Sequence, residues 1–295
     1  MTIVAPRLEG IRESEVHAGG LRMHVVEAGP PDGEPVLLLH GWPQHWYQWR
    51  HQIPALAGAG YRVIAPDLRG FGQSEAPPGG YDKENMATDV LNLMDAMGLE
   101  RVKLLAHDWG GWIAFILCTR APERFEKYLA LNIPHLWSKT SPKLAIQFWR
   151  FWYQAVLGSP LGPWLLKNRP QFVRRVIQGS SPNPQAWSDA DVEAFVRPLR
   201  EPARARATQQ LYRTFLLKEM GSVAAGRYQK TRLTVPTRLL FGTDDFAISK
   251  EFFARPTHEF ADDFRIEFIP DTGHFIAEER PELVNERALE FFAGD

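Results

Sequence analysis

Short runs of apolar residues recur along the chain, and polar or turn-forming residues follow each run. Runs that are apolar throughout favour strands covered on both faces, as in a parallel sheet. The strands predicted on this basis are residues 35–39, 61–65, 102–106, 128–132, 237–241 and 265–269. Helical patterns lie between them, for example over residues 84–97 and 281–292. The alternation predicts an α/β fold, with a mostly parallel sheet and helices on both of its faces.

Two further strand candidates lie near the start of the chain, at residues 14–17 and 21–27. Gly19 and Gly20 separate them, and a pair of glycines between two strands is typical of a tight hairpin turn. We therefore expect an antiparallel hairpin at one edge of the sheet.

The stretch of residues 134–231 has a different pattern. It lacks a convincing strand, it holds many Trp, Arg and Pro, and its periodicity is helical. We interpret it as a helical cap inserted between two strands, which divides the chain into a first core part (1–133), the cap (134–231) and a second core part (232–295). Ligands of open α/β sheets bind beyond the carboxyl ends of the strands, so a cap there would close over the binding site.

Composition and charge narrow the classes of function. The 295 residues are enough for one α/β domain with an insertion. A net charge of -1 argues against nucleic acid or an anionic membrane as a main partner. Aromatic residues make up 12% of the chain, which fits an apolar cavity and an ordinary large core equally well. The single cysteine, Cys118, excludes an intrachain disulfide and is expected to be a core residue.

The sequence shows no targeting, membrane or metal-binding pattern. Residues 1–7 lack the apolar run of a signal peptide, and no segment reaches the roughly 18 apolar residues of a membrane span. No cluster of His, Cys, Asp and Glu has convincing metal-ligand spacing. We therefore predict a cytoplasmic protein that uses neither a metal nor another cofactor.

The segment that indicates chemistry most directly is residues 105–111, Leu-Ala-His-Asp-Trp-Gly-Gly. An apolar strand runs into a sharp turn and a helix starts at the glycines, which is the geometry of a nucleophile elbow with Asp108 as the nucleophile. The new helix would direct N–H groups and its positive dipole end at the carboxylate, which favours the ionised form. Aspartate is also a common helix-capping residue, so this segment alone leaves a structural role open.

Three more segments and a single aspartate follow predicted strands in a consistent order. His-Gly-Trp-Pro at 40–43 follows the strand 35–39, and the glycine-rich turn 67–74, expected to be structural, follows the next strand. Asp245 follows the strand 237–241, and His274 follows the last strand within Asp-Thr-Gly-His. The chain order nucleophile, acid, His is the order of the α/β hydrolases.

In combination, these motifs resemble the α/β-hydrolase superfamily over the whole chain, and its epoxide hydrolase branch in particular. The resemblance implies that Asp108, Asp245 and His274 form a catalytic triad. It also implies that the backbone N–H groups of Trp42 and Trp109 form an oxyanion hole. The His-Gly-x-Pro and His-Asp-Trp-Gly-Gly motifs are highly specific together, although each is weak alone.

Two of these assignments have competitors within the chain. Among nine histidines, His274 is favoured because it follows a glycine and the final strand, whereas His40 and His107 are expected to brace loops by hydrogen bonding. Asp244 competes with Asp245 as the acid that orients the histidine. Asp245 is favoured because Asp-Phe followed by an aliphatic stretch matches the pattern of the family.

An aspartate nucleophile suits attack on a saturated carbon. A serine would form an ether there, which the enzyme could not hydrolyse, whereas a carboxylate forms an ester. Water activated by His274 can cleave that ester while the N–H groups of Trp42 and Trp109 hold the oxyanion. Asp245 would fix the tautomer of the histidine and stabilise the imidazolium. The predicted substrate is therefore a small apolar epoxide or an alkyl halide, with water as the second reactant.

The leaving group separates these two substrates, because an epoxide leaves as an alkoxide and needs a proton donor. The resemblance implies that two cap tyrosines hold the epoxide oxygen, and their sequence contexts favour Tyr153 and Tyr212, with Tyr228 in reserve. The pKa of a tyrosine hydroxyl is about 10, so each can donate a proton at neutral pH. The alternative is that these tyrosines only pack.

We interpret the chain as an epoxide hydrolase that forms diols through an aspartyl ester. Dehalogenating relatives carry Asn at the position of Trp42, or Arg at the position of Trp109, so both residues argue against the alternative of a haloalkane dehalogenase. A non-catalytic receptor on the same fold is disfavoured, because every triad candidate is present. The physiological epoxide, the preferred enantiomer and the oligomeric state stay open. Cap side chains expected to shape the pocket are Phe148, Trp149, Trp152 and Trp164.

Overall fold

The computed structural model describes residues 6–138 and 148–294, except for the side chain of Phe148. Eight strands form one sheet in the order β1-β2-β4-β3-β5-β6-β7-β8. The strands are β1 (Ile11–Ala18), β2 (Leu21–Ala28), β3 (Pro35–Leu39), β4 (Arg62–Pro66), β5 (Val102–His107), β6 (Phe125–Leu131), β7 (Thr237–Gly242) and β8 (Phe264–Ile269). Strand β2 pairs antiparallel with β1 and β4, and the other neighbouring pairs are parallel. The predicted α/β fold with an antiparallel hairpin at its edge is confirmed.

The described α-helices fall into two groups along the chain. Those outside the β6–β7 connection are α1 (Gln52–Gly58), α2 (Lys83–Ala96), α3 (Asp108–Arg120), α10 (Ile276–Glu279) and α11 (Pro281–Ala293). Helix α2 packs against α3, and α1 packs against α11. Every residue of β5 is buried, because helices cover both faces of the sheet at its centre. The nucleophile candidate therefore follows the best-covered part of the sheet.

The second group of helices lies between β6 and β7. It consists of α4 (Trp152–Gly158), α5 (Leu161–Asn168), α6 (Gln171–Gly179), α7 (Asp189–Leu199), α8 (Pro202–Thr214) and α9 (Met220–Ala224). We call these helices the helical insertion; α8 packs against α4, α5 and α7. The division of the chain at residues 134 and 231 stays a prediction, and residues 139–147 of the predicted cap lie outside the described residues.

The observed strand bounds depart from the predicted ones mainly where polar residues begin a strand. β3 has the predicted bounds, whereas β6 begins at Phe125 instead of residue 128. Glu126 and Lys127 interrupt the apolar run, yet the backbone already pairs with β5, where Phe125 lies opposite Val102. An apolar run therefore marks the buried part of a strand and not its full length.

None of the helices within residues 6–138 and 148–294 is both long and apolar enough to cross a membrane. The cytoplasmic location stays a prediction.

Candidate active site

The candidate residues lie at one edge of the sheet because each follows a parallel strand. Trp42 follows β3, Asp108 follows β5, Asp245 follows β7 and His274 follows β8. Parallel strands end at the same side, so residues far apart in the chain come together there. The structure brings the three members of the predicted triad into one cluster.

Asp108 lies in a sharp turn, as the sequence predicted. It is the first residue of α3 and has a φ of 48°, in the left-handed region. Two glycines let α3 start close to the sheet: a Cβ on Gly110 would lie 2.2 Å from the carbonyl oxygen of Leu39, and one on Gly111 would lie 2.7 Å from Cγ2 of Ile133. Larger residues at either position would push the helix away and displace the carboxylate.

Backbone N–H groups hold the carboxylate of Asp108. The N–H of Trp42 donates to Oδ2 over 2.9 Å, and the N–H of Trp109 also donates to the carboxylate. Burial raises the pKa of Asp108, and the charge of His274 and the two N–H groups only partly oppose that rise. The start of α3 favours the ionised form, as predicted, but burial has the larger effect. A poorly solvated carboxylate of raised pKa is the more basic nucleophile.

His274 connects the two aspartates. Its Nδ1 lies 2.7 Å from Oδ2 of Asp245, and its Nε2 lies 3.8 Å from Oδ1 of Asp108. Burial lowers the pKa of His274, but the charge and hydrogen bond of Asp245, together with the charge of Asp108, raise it to about 9. With both carboxylates ionised, the ring is therefore protonated at neutral pH, and it donates from Nδ1 to Asp245.

Asp245 is held rigidly, which separates it from its neighbour Asp244. Its Oδ1 accepts from the backbone N–H groups of Ala247 at 2.7 Å and Ile248 at 2.9 Å. Burial raises the pKa of Asp245, but the charge and hydrogen bond of His274, followed by smaller contributions that include the N–H of Ile248, bring the pKa below its ordinary value. Asp244 is exposed. The geometry thus favours Asp245 over Asp244 as the partner of His274.

Asn132 is a site residue that the sequence reasoning missed. Its Nδ2 donates to Oδ2 of Asp245 over 2.9 Å and to the carbonyl oxygen of Gly273 over 3.2 Å, and its Oδ1 accepts from the N–H of Gly242 over 3.1 Å. Asn132 has a φ of 40°, so it has left β6, although the prediction made it the last residue of that strand. A polar residue at the end of an apolar strand, beside the other motif-bearing strand ends, was the available signal.

A cavity lies between the strand ends and the helical insertion. Asp108 and His274 line it from the sheet side, and Tyr153 and Tyr212 line it from α4 and α8. The other lining residues are mostly apolar: Trp42, Trp152, Val176, Ser180, Phe246, Ala247 and Phe275. The walls therefore suit a small apolar ligand, with a few polar groups converging on one region.

The two tyrosines form one aromatic group with Trp42. The rings of Tyr153 and Tyr212 are 6.1 Å apart and nearly perpendicular, and they lie 6.2 Å and 5.6 Å from the ring of Trp42. Burial raises the pKa of both hydroxyls, and the charge of Asp108 raises both further. Both side chains therefore stay protonated and can donate.

The remaining aromatic candidates lie elsewhere. The hydroxyl of Tyr228 donates to Oε1 of Glu84 over 2.8 Å, and Tyr228 does not line the described cavity. Trp149 and Trp164 are largely exposed and also do not line it, so of the predicted pocket-shaping residues with described side chains only Trp152 does. The side chain of Phe148 lies outside the described part of the chain.

The histidines beside the site brace loops, as expected. The N–H of Leu68 donates to Nε2 of His40 over 2.9 Å, and Nδ1 of His40 donates to the carbonyl oxygen of Gly41 over 3.0 Å. Nε2 of His107 donates to the carbonyl oxygen of His274 over 2.8 Å. Burial lowers the pKa of His40 to about 4 and that of His107 to about 3, so both are neutral.

The glycine-rich turn after β4 also has the expected structural role. The carboxylate of Asp67 accepts from the backbone N–H groups of Trp46 at 2.9 Å and Gln73 at 2.8 Å, and it bonds Nδ1 of His24 at 2.9 Å. It thereby ties the loop after Trp42 to the turn. Within the described residues, no group of three or more His, Cys, Asp or Glu side chains could hold a metal ion.

Comparison with known proteins identifies the family of this chain independently of the site geometry. The family described as "alpha/beta hydrolase fold" matches residues 34–281. The soluble epoxide hydrolase of a Corynebacterium species is 35% identical over 294 residues, covering 96% of this chain and 98% of that protein. The AB hydrolase superfamily protein YfhM of Bacillus subtilis is 32% identical over 290 residues, covering 96% of this chain and 99% of that protein.

A solved structure shows the same arrangement of the backbone. The epoxide hydrolase CorEH without ligand superposes with a TM-score of 0.83 at 33% sequence identity, covering 96% of this chain and 99% of that one. The sheet order, the aspartate elbow and these similarities agree. The chain belongs to the α/β-hydrolase family, and within it to the epoxide hydrolases.

Proposed function

We propose that this protein hydrolyses small apolar epoxides to vicinal diols through a covalent ester on Asp108. The observation that carries the proposal is the position of Asp108 in the cavity. On its sheet side are the N–H groups of Trp42 and Trp109 and the His274–Asp245 pair; across the cavity are two protonated tyrosines. A nucleophile and two acids that share one apolar cavity match the needs of epoxide opening.

In the first step, a carboxylate oxygen of Asp108 attacks an epoxide carbon, and the bond between that carbon and the ring oxygen breaks. An ester forms, and the ring oxygen takes a proton from Tyr153 or Tyr212. The two hydroxyls stabilise the charge that develops on that oxygen. Their raised pKa keeps them protonated until this step.

Esterification removes the charge of Asp108 and so lowers the pKa of His274, and the ring releases its proton to solvent. In the second step, neutral His274 removes a proton from water, and the resulting hydroxide adds to the ester carbonyl of Asp108. The N–H groups of Trp42 and Trp109 stabilise the oxyanion. The ester bond breaks, the departing alkoxide takes the remaining proton of the added hydroxide to complete the diol, and Asp108 returns as a carboxylate. The tyrosine regains its proton from solvent, which balances the proton that His274 released, and the imidazolium of the resting state is restored. The sum is one epoxide and one water converted to one diol.

Two further observations support an epoxide over an alkyl halide. A halide leaves as a stable anion and needs no proton, so two buried tyrosine hydroxyls beside the nucleophile would have no task. The relative in Corynebacterium is also named a soluble epoxide hydrolase. A turnover assay with a styrene oxide-type epoxide, against a bromoalkane of similar size, tests the choice. We expect diol from the epoxide and little bromide; the reverse outcome would favour a dehalogenase.

A further inference from the structure

Lys83, the first residue of α2, is a buried lysine outside the set of residues assigned above. Its side chain is fully buried, and its Nζ lies 2.9 Å from Oε2 of Glu219. An ammonium group in such surroundings is costly unless it is paired and hydrogen-bonded. The backbone N–H of Lys83 also donates to Oε1 of Glu219 over 2.9 Å, so the two residues are joined twice. A pair held in this way fixes the elements that carry it.

The ammonium of Lys83 contacts one residue of α3 and one residue of α8. Its Nζ lies 4.5 Å from the centre of the Trp109 ring, in a cation–π contact. It also donates to the carbonyl oxygen of Leu211 over 3.3 Å, in the turn of α8 that carries Tyr212. The Trp109 ring in turn packs on Tyr212 at 6.0 Å, and its side chain hydrogen-bonds the tyrosine hydroxyl. One buried charge thus contacts two neighbours of the same tyrosine.

Glu219, the partner of Lys83, lies in the segment that follows α8. It ends the π-helical turn Phe215–Glu219, which directly follows α8. The ring of Phe215 lies 4.9 Å from the ring of Trp109, so this turn packs on the same indole. A π-helical turn within a helical run is an irregularity that often occurs at functional sites. The pair Lys83–Glu219 therefore connects α2 of the sheet-forming part to the end of the helix that carries Tyr212.

We propose that Lys83, through its buried pair with Glu219, is a positioning residue that sets the hydroxyl of Tyr212 relative to Asp108. The inference rests on the proposed function, in which Tyr212 donates to the epoxide oxygen. A small misplacement of a donor is enough to lower a rate strongly, because the hydrogen bond must meet the oxygen as its charge develops.

The experiment replaces the pair by uncharged side chains of similar size, Lys83→Met with Glu219→Met. Replacing both partners leaves no unpaired charge, and buried pairs exchanged in this way often keep or gain stability. Rapid-mixing kinetics then measure ester formation on Asp108 and ester hydrolysis separately. We expect ester formation to slow about tenfold, with hydrolysis changing much less, because Tyr212 acts only in the first step.

The same pair of substitutions in a Tyr212→Phe background separates positioning from general damage. If Lys83 acts through the hydroxyl of Tyr212, removal of the pair has little further effect once that hydroxyl is absent. An equal slowing in both backgrounds, or no slowing in either, would overturn the inference. Should the double variant fail to fold, Lys83→Met with Glu219→Gln also leaves no unpaired charge and keeps an acceptor for the backbone N–H of residue 83. It is expected to slow ester formation less, and again only in the presence of Tyr212.

Lys103 provides a matched control. It is a buried lysine near the start of β5, at the end of that strand away from Asp108; its Nζ lies 2.8 Å from Glu34, 2.9 Å from Glu126 and 5.8 Å from the Tyr61 ring. Lys103→Met should leave both steps unchanged. An effect equal to that of the Lys83 variants would contradict the inference. Absence of any ester on wild-type Asp108 would overturn the proposed function itself, which is a different outcome.

Discussion

Nε2 of His274 lies 3.8 Å from Oδ1 of Asp108, beyond the length of a hydrogen bond. The nucleophile is therefore not held by the histidine that is proposed to release it from the ester. Asp108 is held instead by backbone N–H groups, which form part of the elbow and do not titrate. The two steps of the reaction thus depend on different groups, and this separation makes them testable one at a time.

Replacing His274 should stop the reaction at the ester. In His274→Gln the base is absent, but Asp108 still faces the tyrosines and still accepts from Trp42. Ester formation should continue, and hydrolysis should slow by several orders of magnitude. Intact-protein mass spectra taken after exposure to a good substrate should show one added epoxide mass. Asp108→Asn is the control and should show none; a His274→Gln protein without the adduct would contradict the two-step scheme.

A single turnover in heavy-oxygen water should yield unlabelled diol. The oxygen transferred first comes from the carboxylate of Asp108, and the solvent oxygen enters that carboxylate during hydrolysis. Label should therefore appear in the peptide containing Asp108 before it appears in product, as measured by mass spectrometry of both. Label in the diol of the first turnover would indicate direct attack by water on the epoxide.

Removing the tyrosine hydroxyls should slow only ester formation. Loss of one such donor typically lowers a rate on the order of 10²–10³-fold. Tyr153→Phe and Tyr212→Phe should each retain weak activity because the partner remains, and the double variant should lose nearly all of it while staying folded. Tyr228→Phe is the matched control, since its hydroxyl bonds Glu84 and does not line the cavity. A double variant that forms ester at the wild-type rate would show that these tyrosines only pack.

The pH dependence of hydrolysis should differ from the titration of the resting enzyme. The charges of Asp245 and Asp108 raise the pKa of His274 to about 9, and the base must be neutral to accept a proton from water. Esterification removes the charge of Asp108, so the pKa of His274 falls in the intermediate. The hydrolysis rate should rise with pH and level off well below pH 9. Rapid-mixing rates and an NMR titration of His274 in the resting enzyme compare the two values; equal values would contradict the coupling.

The same shift has a consequence for stability with a defined sign. The pKa of His274 is about 9 in the folded protein against 6.5 as its ordinary value, so the protonated ring is bound more tightly when the chain is folded. Its contribution to stability is therefore complete below about pH 6.5 and is lost as the pH rises through about 9.

Much of the site could be predicted because parallel strands collect their following residues at one edge. Asp108, Asp245 and His274 each follow a predicted strand, so strand prediction alone places them at the same edge of the sheet. Asn132 was not predicted as a site residue because it directly continues the apolar run of β6 in the sequence. Its polar side chain was a weak signal, and its turn toward Asp245 depends on a φ of 40°. Contacts of this kind depend on one backbone angle, which apolar periodicity does not report.

Lys83 was not predicted as a residue near the site, for a different reason. A lysine at the first turn of an amphipathic helix is ordinarily solvated, and nothing near it in sequence suggests burial. Its partner Glu219 is 136 positions away, in a π-helical turn. Pairings between residues so far apart in the sequence depend on how the helical insertion packs on the sheet. No local sequence pattern predicts this packing.

The left-handed backbone of Asp108 serves the reaction and lowers the stability of the folded protein. For a residue with a side chain, this conformation costs roughly 1–2 kcal/mol, which glycine does not lose. Burial of the carboxylate, which raises its pKa, adds a second unfavourable contribution. An inactive Asp108→Gly chain would lose this backbone strain, but it would also leave the N–H groups of Trp42 and Trp109 without their acceptor. Screens that select for heat resistance alone would not preserve this position, because the strain at Asp108 serves the reaction and not the fold.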